Sequence, residues 1–86
     1  MGPKTTRLVG LLEAAEYQLR AKGETHWADW LQRDIGWLRE GDTQGLRHFL
    51  RAFGGMGSLN DLPDGPAQLS ECYDLAKEIL REVEAG

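Results

Sequence analysis

The chain has 86 residues and a mass of 9.6 kDa; 41% of its residues are hydrophobic, 28% are charged, and its formal net charge is −4 with a pI near 5.0. This length suits one hydrophobic core, so we expect residues 1–86 to form a single helical domain. The acidic balance argues against sequence-independent binding of nucleic acid, and the apolar runs are too short to cross a bilayer, so we expect neither nucleic acid nor a membrane as a partner.

Glycine and proline divide the chain into four predicted helices. The first spans residues 5–22 and ends at Gly23. Helical spacing places apolar side chains on one side of it: Leu8, Leu11, Leu12, Ala15 and Leu19. The opposite side carries uncharged residues instead of a full polar set: Gly10, Ala14 and Tyr17. That side is therefore a candidate surface for a structural homodimer, together with Trp37 if its ring is exposed.

The second predicted helix spans residues 25–40, with Thr25 as its N-cap and Gly41 as its stop. It carries two neighbouring apolar stripes, one with Trp27, Leu31, Ile35 and Leu38 and the other with Trp30 and Trp37. Asp34 lies between the stripes, where a dry and unpaired carboxylate would cost several kcal/mol. We expect a donor for it among four groups: an indole N–H, a tyrosine hydroxyl, an arginine, or the backbone amides of the glycine-rich loop.

A small-ligand pocket is one functional reading of this helix. It would centre on Asp34 beside Trp30, Trp37 and His26, because a perturbed acid in an aromatic cleft is typical of a binding site.

Asp42 caps a third predicted helix, which reaches about Phe53. Its apolar side consists of Leu46, Phe49, Leu50 and Phe53. Three basic residues are expected to face solvent: Arg47, His48 and Arg51.

A glycine-rich loop follows over residues 54–65 and contains the string Gly54-Gly55-Met56-Gly57-Ser58-Leu59-Asn60-Asp61-Leu62. The loop has neither the preceding strand nor the lysine of a phosphate-binding loop. We interpret it as a shaped connector whose Ser58, Asn60 and Asp61 side chains bond the loop's own backbone. The alternative is an exposed recognition epitope in which Met56 and Leu59 are the apolar contacts.

The fourth predicted helix spans residues 66–85, with Pro66 in its first turn. Its apolar arc consists of Leu69, Cys72, Tyr73, Ala76, Ile79, Leu80 and Val83, and an acidic stripe lies opposite, formed by Glu71, Asp74, Glu78 and Glu82. Residues 58–86 hold two Lys+Arg and seven Asp+Glu, a balance of −5, against +1 from eight and seven in residues 1–57. The stripe is thus either a solvated face or a docking surface for a basic partner.

Metal binding and catalysis find little support in the sequence. His26, His48 and Cys72 show neither i, i+4 spacing nor a Cys-x-x-Cys arrangement, and Cys72 lies on an apolar side. We therefore expect no metal, no cofactor and no enzymatic activity. Because the start of the chain lacks the apolar stretch of a secretory signal, we expect a cytoplasmic protein.

The text from Trp27 to Leu62 resembles a family of small bacterial proteins of uncharacterised function. The resemblance is carried by Gly41-Asp42, by the run from Phe49 to Phe53, and by the Gly-Gly-Met-Gly-Ser-x-Asn-Asp string of the loop. It implies a short helical bacterial protein, linked to toxin–immunity or other accessory loci, with residues 54–62 as its defining feature.

These patterns predict an all-α fold: a single compact bundle of three to four helices with a glycine-rich loop before the last one. For function we expect a non-catalytic, immunity-like or accessory module that contacts a partner protein. The contacting residues would be those of the loop and the acidic stripe: Met56, Ser58, Leu59, Asn60, Asp61, Glu71, Asp74, Glu78 and Glu82. The alternatives are the homodimer and, third, the small-ligand pocket around Asp34.

Overall fold

Four α-helices and one 3-10 turn make up the secondary structure of the computed structural model, which describes residues 2–54 and 57–85. The helices are α1 (Pro3–Ala21), α2 (Thr25–Arg39), α3 (Gln44–Leu50) and α4 (Leu69–Ala85), and the 3-10 turn spans Leu59–Asp61. No residue in the two described ranges belongs to a β-strand. The predicted all-α bundle with a glycine-rich loop before its last helix is confirmed.

The helices pack as a closed ring, in which α1 contacts α2, α2 contacts α3, α3 contacts α4, and α4 contacts α1. One continuous core fills the ring, and α4 contributes the predicted arc members Leu69, Cys72, Ala76 and Ile79 to it. Val83 belongs to the same predicted arc but is 48% exposed, because it lies in the last turns of α4. The apolar pattern therefore identifies the buried side of α4 correctly up to its final turns.

Several predicted helix ends differ from those in the structure. The second helix begins at Thr25 itself, with Glu24 at the N-cap position. α3 ends at Leu50, because the amides of Ala52 and Phe53 bond to carbonyls three residues back and the chain tightens before it turns. The N-cap position of α3 is Thr43 and not Asp42 as predicted, although the Asp42 carboxylate accepts a hydrogen bond of 2.9 Å from the amide of Gln44, the first residue of the helix.

The start of α4 is three residues later than predicted. Pro66 is buried and precedes the helix, which begins at Leu69. Asp64 just before it adopts a φ of 58°, a left-handed conformation that turns the chain away from helical geometry. Residues 66–68 therefore belong to the connection and not to α4.

Gly45 allows α3 to approach α2 closely. A Cβ at this position would lie 3.0 Å from the Asp34 carbonyl oxygen, 3.1 Å from the Trp37 Cβ and 3.2 Å from the Leu38 Cγ. Any side chain here would push the two helices apart. This contact brings the side chains one turn further along α3 against α2.

Gly57 in the loop has a φ of +75°, which L side chains rarely adopt, and a Cβ there would meet no atom within 4 Å. We expect Gly57→Ala to lower the free energy of unfolding by about 1 kcal/mol, from backbone strain alone. Gly36 is the matched control, since it is an exposed helical glycine that also has room for a Cβ. Gly36→Ala should raise the same free energy by a few tenths to about 1 kcal/mol. Urea denaturation followed by circular dichroism measures both, and equal signs for the two variants would contradict this account of the loop.

Candidate functional site

A histidine–aspartate pair lies between α2 and α3. Asp34 is completely buried, and its Oδ1 lies 2.5 Å from the Nδ1 of His48, whose side chain is only 15% exposed. The prediction that His48 faces solvent is wrong, because the close approach at Gly45 turns this side of α3 toward α2. The partner of Asp34 is thus a histidine and none of the four donors expected from the sequence.

Tryptophan side chains enclose the His48 ring. Trp30 stacks on it with ring centroids 4.1 Å apart, and Trp37 presents an edge contact at 5.1 Å. The Trp30 indole N–H also donates a hydrogen bond of 3.1 Å to the His48 carbonyl oxygen. Both the ring and the backbone of His48 are therefore held in place from α2.

The predicted small-ligand pocket is only partly assembled. Asp34, Trp30 and Trp37 do converge, but on His48 and not on a ligand-sized space, while His26 lies outside, with its ring 4.7 Å from that of Trp27. None of the four predicted pocket residues lines the surface cleft that lies next to these rings. His48, which the sequence analysis assigned to solvent, does line that cleft.

The directions of the two pKa shifts favour a pair that shares one proton at neutral pH. Burial raises the pKa of Asp34 to about 8, against the opposing effect of Arg33, whereas burial and then the charges of Arg33 and Arg51 lower the pKa of His48. A single proton between Oδ1 and Nδ1 leaves a second hydrogen on the His48 Nε2, whichever of the two atoms holds the shared one. The Oδ2 of Asp34 is buried without a hydrogen-bond partner among the described residues, which further favours the protonated carboxyl group.

A basic cleft of about 310 Å³ borders this pair. We define the basic cleft by its lining residues: Asp42, Thr43, Gln44, Arg47, His48 and Arg51. The Arg47 guanidinium is 3.4 Å from a Glu84 carboxylate oxygen, a long contact between two exposed side chains. Arg51 forms no ion pair with any residue in the described part of the chain.

A second, larger space lies beside the glycine-rich loop. We call this space the apolar groove after its aliphatic and aromatic walls, although Asn60, Ser70 and backbone groups also expose polar atoms in it; it has a volume of about 630 Å³ and runs between the end of α3, the loop and the first turns of α4. Four half-buried apolar side chains contribute to its walls: Leu50, Phe53, Leu62 and Tyr73. The Phe53 and Tyr73 rings contact each other at a centroid distance of 4.8 Å.

The loop bonds its own backbone, as the connector interpretation predicts. The Asn60 side chain accepts a bond from the Gly54 amide at 3.4 Å, and the Asp61 carboxylate accepts one from the Gly57 amide at 3.1 Å. The expectation that Leu59 is an exposed apolar contact is wrong, because its side chain is only 1% exposed and its amide donates to the Ala52 carbonyl. Ser58 is likewise buried, with its hydroxyl 2.5 Å from the Asn60 side-chain oxygen. Met56, the other predicted contact, lies outside the described residues.

The acidic stripe of α4 lies along the seam with α1. Lys4 pairs with Glu78 at 2.7 Å and also with Glu82, and Arg7 pairs with Glu71. Three of the four predicted docking carboxylates therefore already have cationic partners within the chain. Asp74 is exposed and has no ion pair among the residues that the structure describes.

Other chemistry is sparse in the described ranges 2–54 and 57–85. They contain no group of three or more metal-ligating side chains. Cys72 is fully buried, as predicted, and burial raises the pKa of its thiol to about 12, so it is a poor nucleophile. None of the helices described is both long enough and apolar enough to span a membrane.

The fold and these features define a small all-α domain in which a histidine–aspartate pair and a glycine-rich loop each border a surface recess. Residues 20–66 match a domain of unknown function, DUF6966. The match spans more than half of the chain, so the chain belongs to this family. No curated protein and no solved structure matches the chain. The matched segment includes α2, α3 and the whole glycine-rich loop, and so both residues of the buried pair.

Proposed function

We propose that this chain is a non-catalytic protein-interaction module, which binds a basic, apolar segment of a partner protein in the apolar groove. We base the proposal on the groove itself, whose volume of about 630 Å³ lies within the range of ligand sites. Its half-buried aromatic and aliphatic walls offer the kind of surface into which a partner inserts anchoring side chains.

The charge around the groove favours a basic partner. Residues 52–76 provide most of its walls and contain four acidic residues, Asp61, Asp64, Glu71 and Asp74, but no lysine or arginine. Nearby cations come from other segments: Arg7 pairs with Glu71, Lys22 donates to the Asp64 carbonyl, and Lys77 lies 5.3 Å from the centre of the Tyr73 ring. None of the four acidic residues lines the groove itself, but Asp61, Asp64 and Asp74 have no ion pair among the described residues, and acidic groups near an apolar groove accelerate and orient the docking of a basic segment.

The glycine-rich loop supplies a preorganised wall. Its Asn60 and Asp61 side chains hold the backbone at Gly54 and Gly57, and Leu59 anchors it in the core. A wall that is fixed before binding reduces the ordering cost of association. In this proposal Asn60, Asp61 and Asp74 face the partner, whereas Ser58 and Leu59 shape the loop from within.

Synthetic helical peptides test the proposal. We expect a Leu/Lys amphipathic peptide to bind, with fluorescence anisotropy as readout, and a Leu/Glu peptide of the same pattern to fail. Tyr73→Ser should weaken binding by about tenfold, since it removes an aromatic wall of the groove. Tyr17→Ser is the matched control, because Tyr17 is 76% exposed on α1.

Salt and a charge reversal test the electrostatic part. Raising the salt from about 50 to about 500 mM should weaken binding of the basic peptide, and so should Asp74→Lys. Glu40→Lys, an exposed change at the end of α2, should not weaken it. Equal binding by Tyr73→Ser and Tyr17→Ser, or equal binding of both peptides, would contradict the proposal.

Self-association through α1 is the second candidate. Gly10, Ala14 and Tyr17 form an exposed, uncharged strip on the outer face of α1, and Tyr17 and Val83 are the exposed large hydrophobic residues of the described chain. Trp37, which would extend this surface if its ring were exposed, is half-buried beside His48. A native mass near 9.6 kDa by light scattering at high micromolar concentration would remove this candidate.

A further inference from the structure

We infer that the basic cleft beside His48 is a binding site for a tetrahedral oxyanion of the phosphate type, carried by a small molecule or free in solution. The site is separate from the apolar groove, and none of its lining residues is shared with the groove. The inference therefore stands or falls independently of the proposed function.

Two guanidinium groups supply the attraction. Arg47 lies on α3 and Arg51 is the C-cap residue of this helix, one turn further along, and both line the basic cleft. Arg51 has no carboxylate partner in the described ranges, and Arg47 has only the long 3.4 Å contact with Glu84. Guanidinium groups present several N–H donors in a planar arrangement that fits the oxygens of a phosphate.

His48 adds a donor held at a fixed angle. Its Nδ1 faces Asp34, and Trp30 and Trp37 fix the ring, so the imidazole cannot turn away from the cleft. While the pair keeps its shared proton, the Nε2 carries a hydrogen that is available to an anion at the cleft. The completely buried Asp34 thus acts as a positioning residue for this donor.

Carboxylates near the basic cleft reduce its positive charge but do not cancel it. Asp42 lines the cleft, but its carboxylate accepts the Gln44 amide hydrogen, and Glu84 from α4 faces Arg47. Arg33 on α2 lies close enough to lower the pKa of both Asp34 and His48. With three arginines against two carboxylates, the surroundings of the neutral pair carry a net positive charge.

The affinity for the anion should fall as the pH rises, because Asp34 and His48 then lose their shared proton. Above the raised pKa of Asp34, about 8, the shared proton is lost and the carboxylate holds the remaining hydrogen at Nδ1. The Nε2 then has only a lone pair, which repels an anion. Asp34→Asn removes this switch, because its amide donates to Nδ1 and leaves the hydrogen on Nε2 at either pH.

Titration with inorganic phosphate, glycerol phosphate, sulfate and acetate at constant ionic strength tests the inference, with amide chemical shifts of residues 42–51 and Trp fluorescence as readouts. We expect the three tetrahedral anions to bind and acetate to bind about tenfold more weakly. Tighter binding of glycerol phosphate than of inorganic phosphate would identify a phosphate ester as the ligand, and equal binding would identify the anion itself.

Variants give the decisive comparison. Arg51→Gln should weaken phosphate binding by about tenfold, whereas Arg81→Gln, on α4 and outside the cleft, should leave it unchanged. Sulfate keeps its charge between about pH 6.5 and pH 9.5. Over this range its affinity for the wild-type protein should fall by about threefold or more, whereas its affinity for Asp34→Asn should stay constant. Binding no tighter than that of chloride, or equal losses in the two arginine variants, would overturn the inference. The arginine comparison holds even if Asp34→Asn fails to fold.

Discussion

Replacing His48 by alanine is expected to lower the free energy of unfolding by about 3 kcal/mol near neutral pH. Three losses combine in this change: the hydrogen bond to the completely buried Asp34, the stacking on Trp30, and the volume of a ring that is 85% enclosed, since its side chain is 15% exposed. The carboxyl group of Asp34 would then be buried with no partner on either oxygen.

His26→Ala is the matched control for this variant. It removes the same atoms from an exposed position whose contacts are edge and tilted contacts to Trp27 and Trp30. Its cost should stay within about 0.5 kcal/mol. Urea denaturation followed by circular dichroism gives both values, and similar costs for the two histidines would show that the buried pair does not hold α3 against α2.

The buried side of α4 was predictable because this helix, Leu69–Ala85, is long enough to repeat its apolar pattern over several turns. Leu69, Cys72, Ala76 and Ile79 follow that spacing and are all buried. The paired state of Glu71 and Glu78 was not predictable in this way, since their cationic partners lie 64 and 74 residues away, on α1. Periodicity identifies a face of a helix but not the charge of the helix beside it.

α3 shows where the same reasoning fails. Its seven residues make only about two turns and contact both α2 and α4, so the apolar pattern is too short to show which residues are buried. A polar His48 next to the arc was therefore assigned to solvent. A signal was available: a carboxylate at Asp34 needed a donor, and His48 lies only 14 residues away across a short connection. His48 can be identified as that donor only when the contact at Gly45 shows how closely α3 approaches α2.

The hydrogen bonds within the loop were predictable from the sequence, but the burial of Leu59 was not. Asn60 and Asp61 bond the loop backbone, as residues of their type do in turns. Leu59 has no helical or strand period by which to judge its direction, and a 3-10 turn places it in the core. The apolar groove is lined by three separate segments, the end of α3, the loop and the first turns of α4, and no local sequence pattern predicts that these segments meet.

The buried pair should also make the stability of the protein depend on pH between about 6.5 and 8. In this interval the folded chain keeps the shared proton, because burial raises the pKa of Asp34 to about 8, whereas the unfolded chain has an ionised aspartate and a neutral histidine. The folded state thus binds one proton more, so its stability is highest at the acidic end and falls as the pH rises. One proton held across the whole of this interval would correspond to about 2 kcal/mol, which is the upper limit of the expected loss because each end of the interval lies at a pKa.

Below pH 6.5 the two groups oppose each other. The unfolded histidine gains a proton there, while the lowered pKa of His48 keeps the folded one neutral. Each state then holds one proton on the two groups, and the curve should level off until the pH approaches the ordinary aspartate value of 3.8 or the lowered pKa of His48. The other resolved shifts, at Lys4, Arg20, Cys72 and Glu78, belong to groups that titrate outside this interval.

Urea denaturation at closely spaced pH values measures this dependence, and Asp34→Asn isolates its source. The asparagine amide can donate to the His48 Nδ1 without titrating, so the variant should lose the decline between pH 6.5 and 8 even if its overall stability is lower. Asp29→Asn is the control, since Asp29 is exposed on the same helix and pairs with Arg20, and it should retain the decline. A wild-type curve that stays flat or rises across this interval would mean that the folded pair holds no extra proton, and a decline that survives in Asp34→Asn would mean that another group holds it.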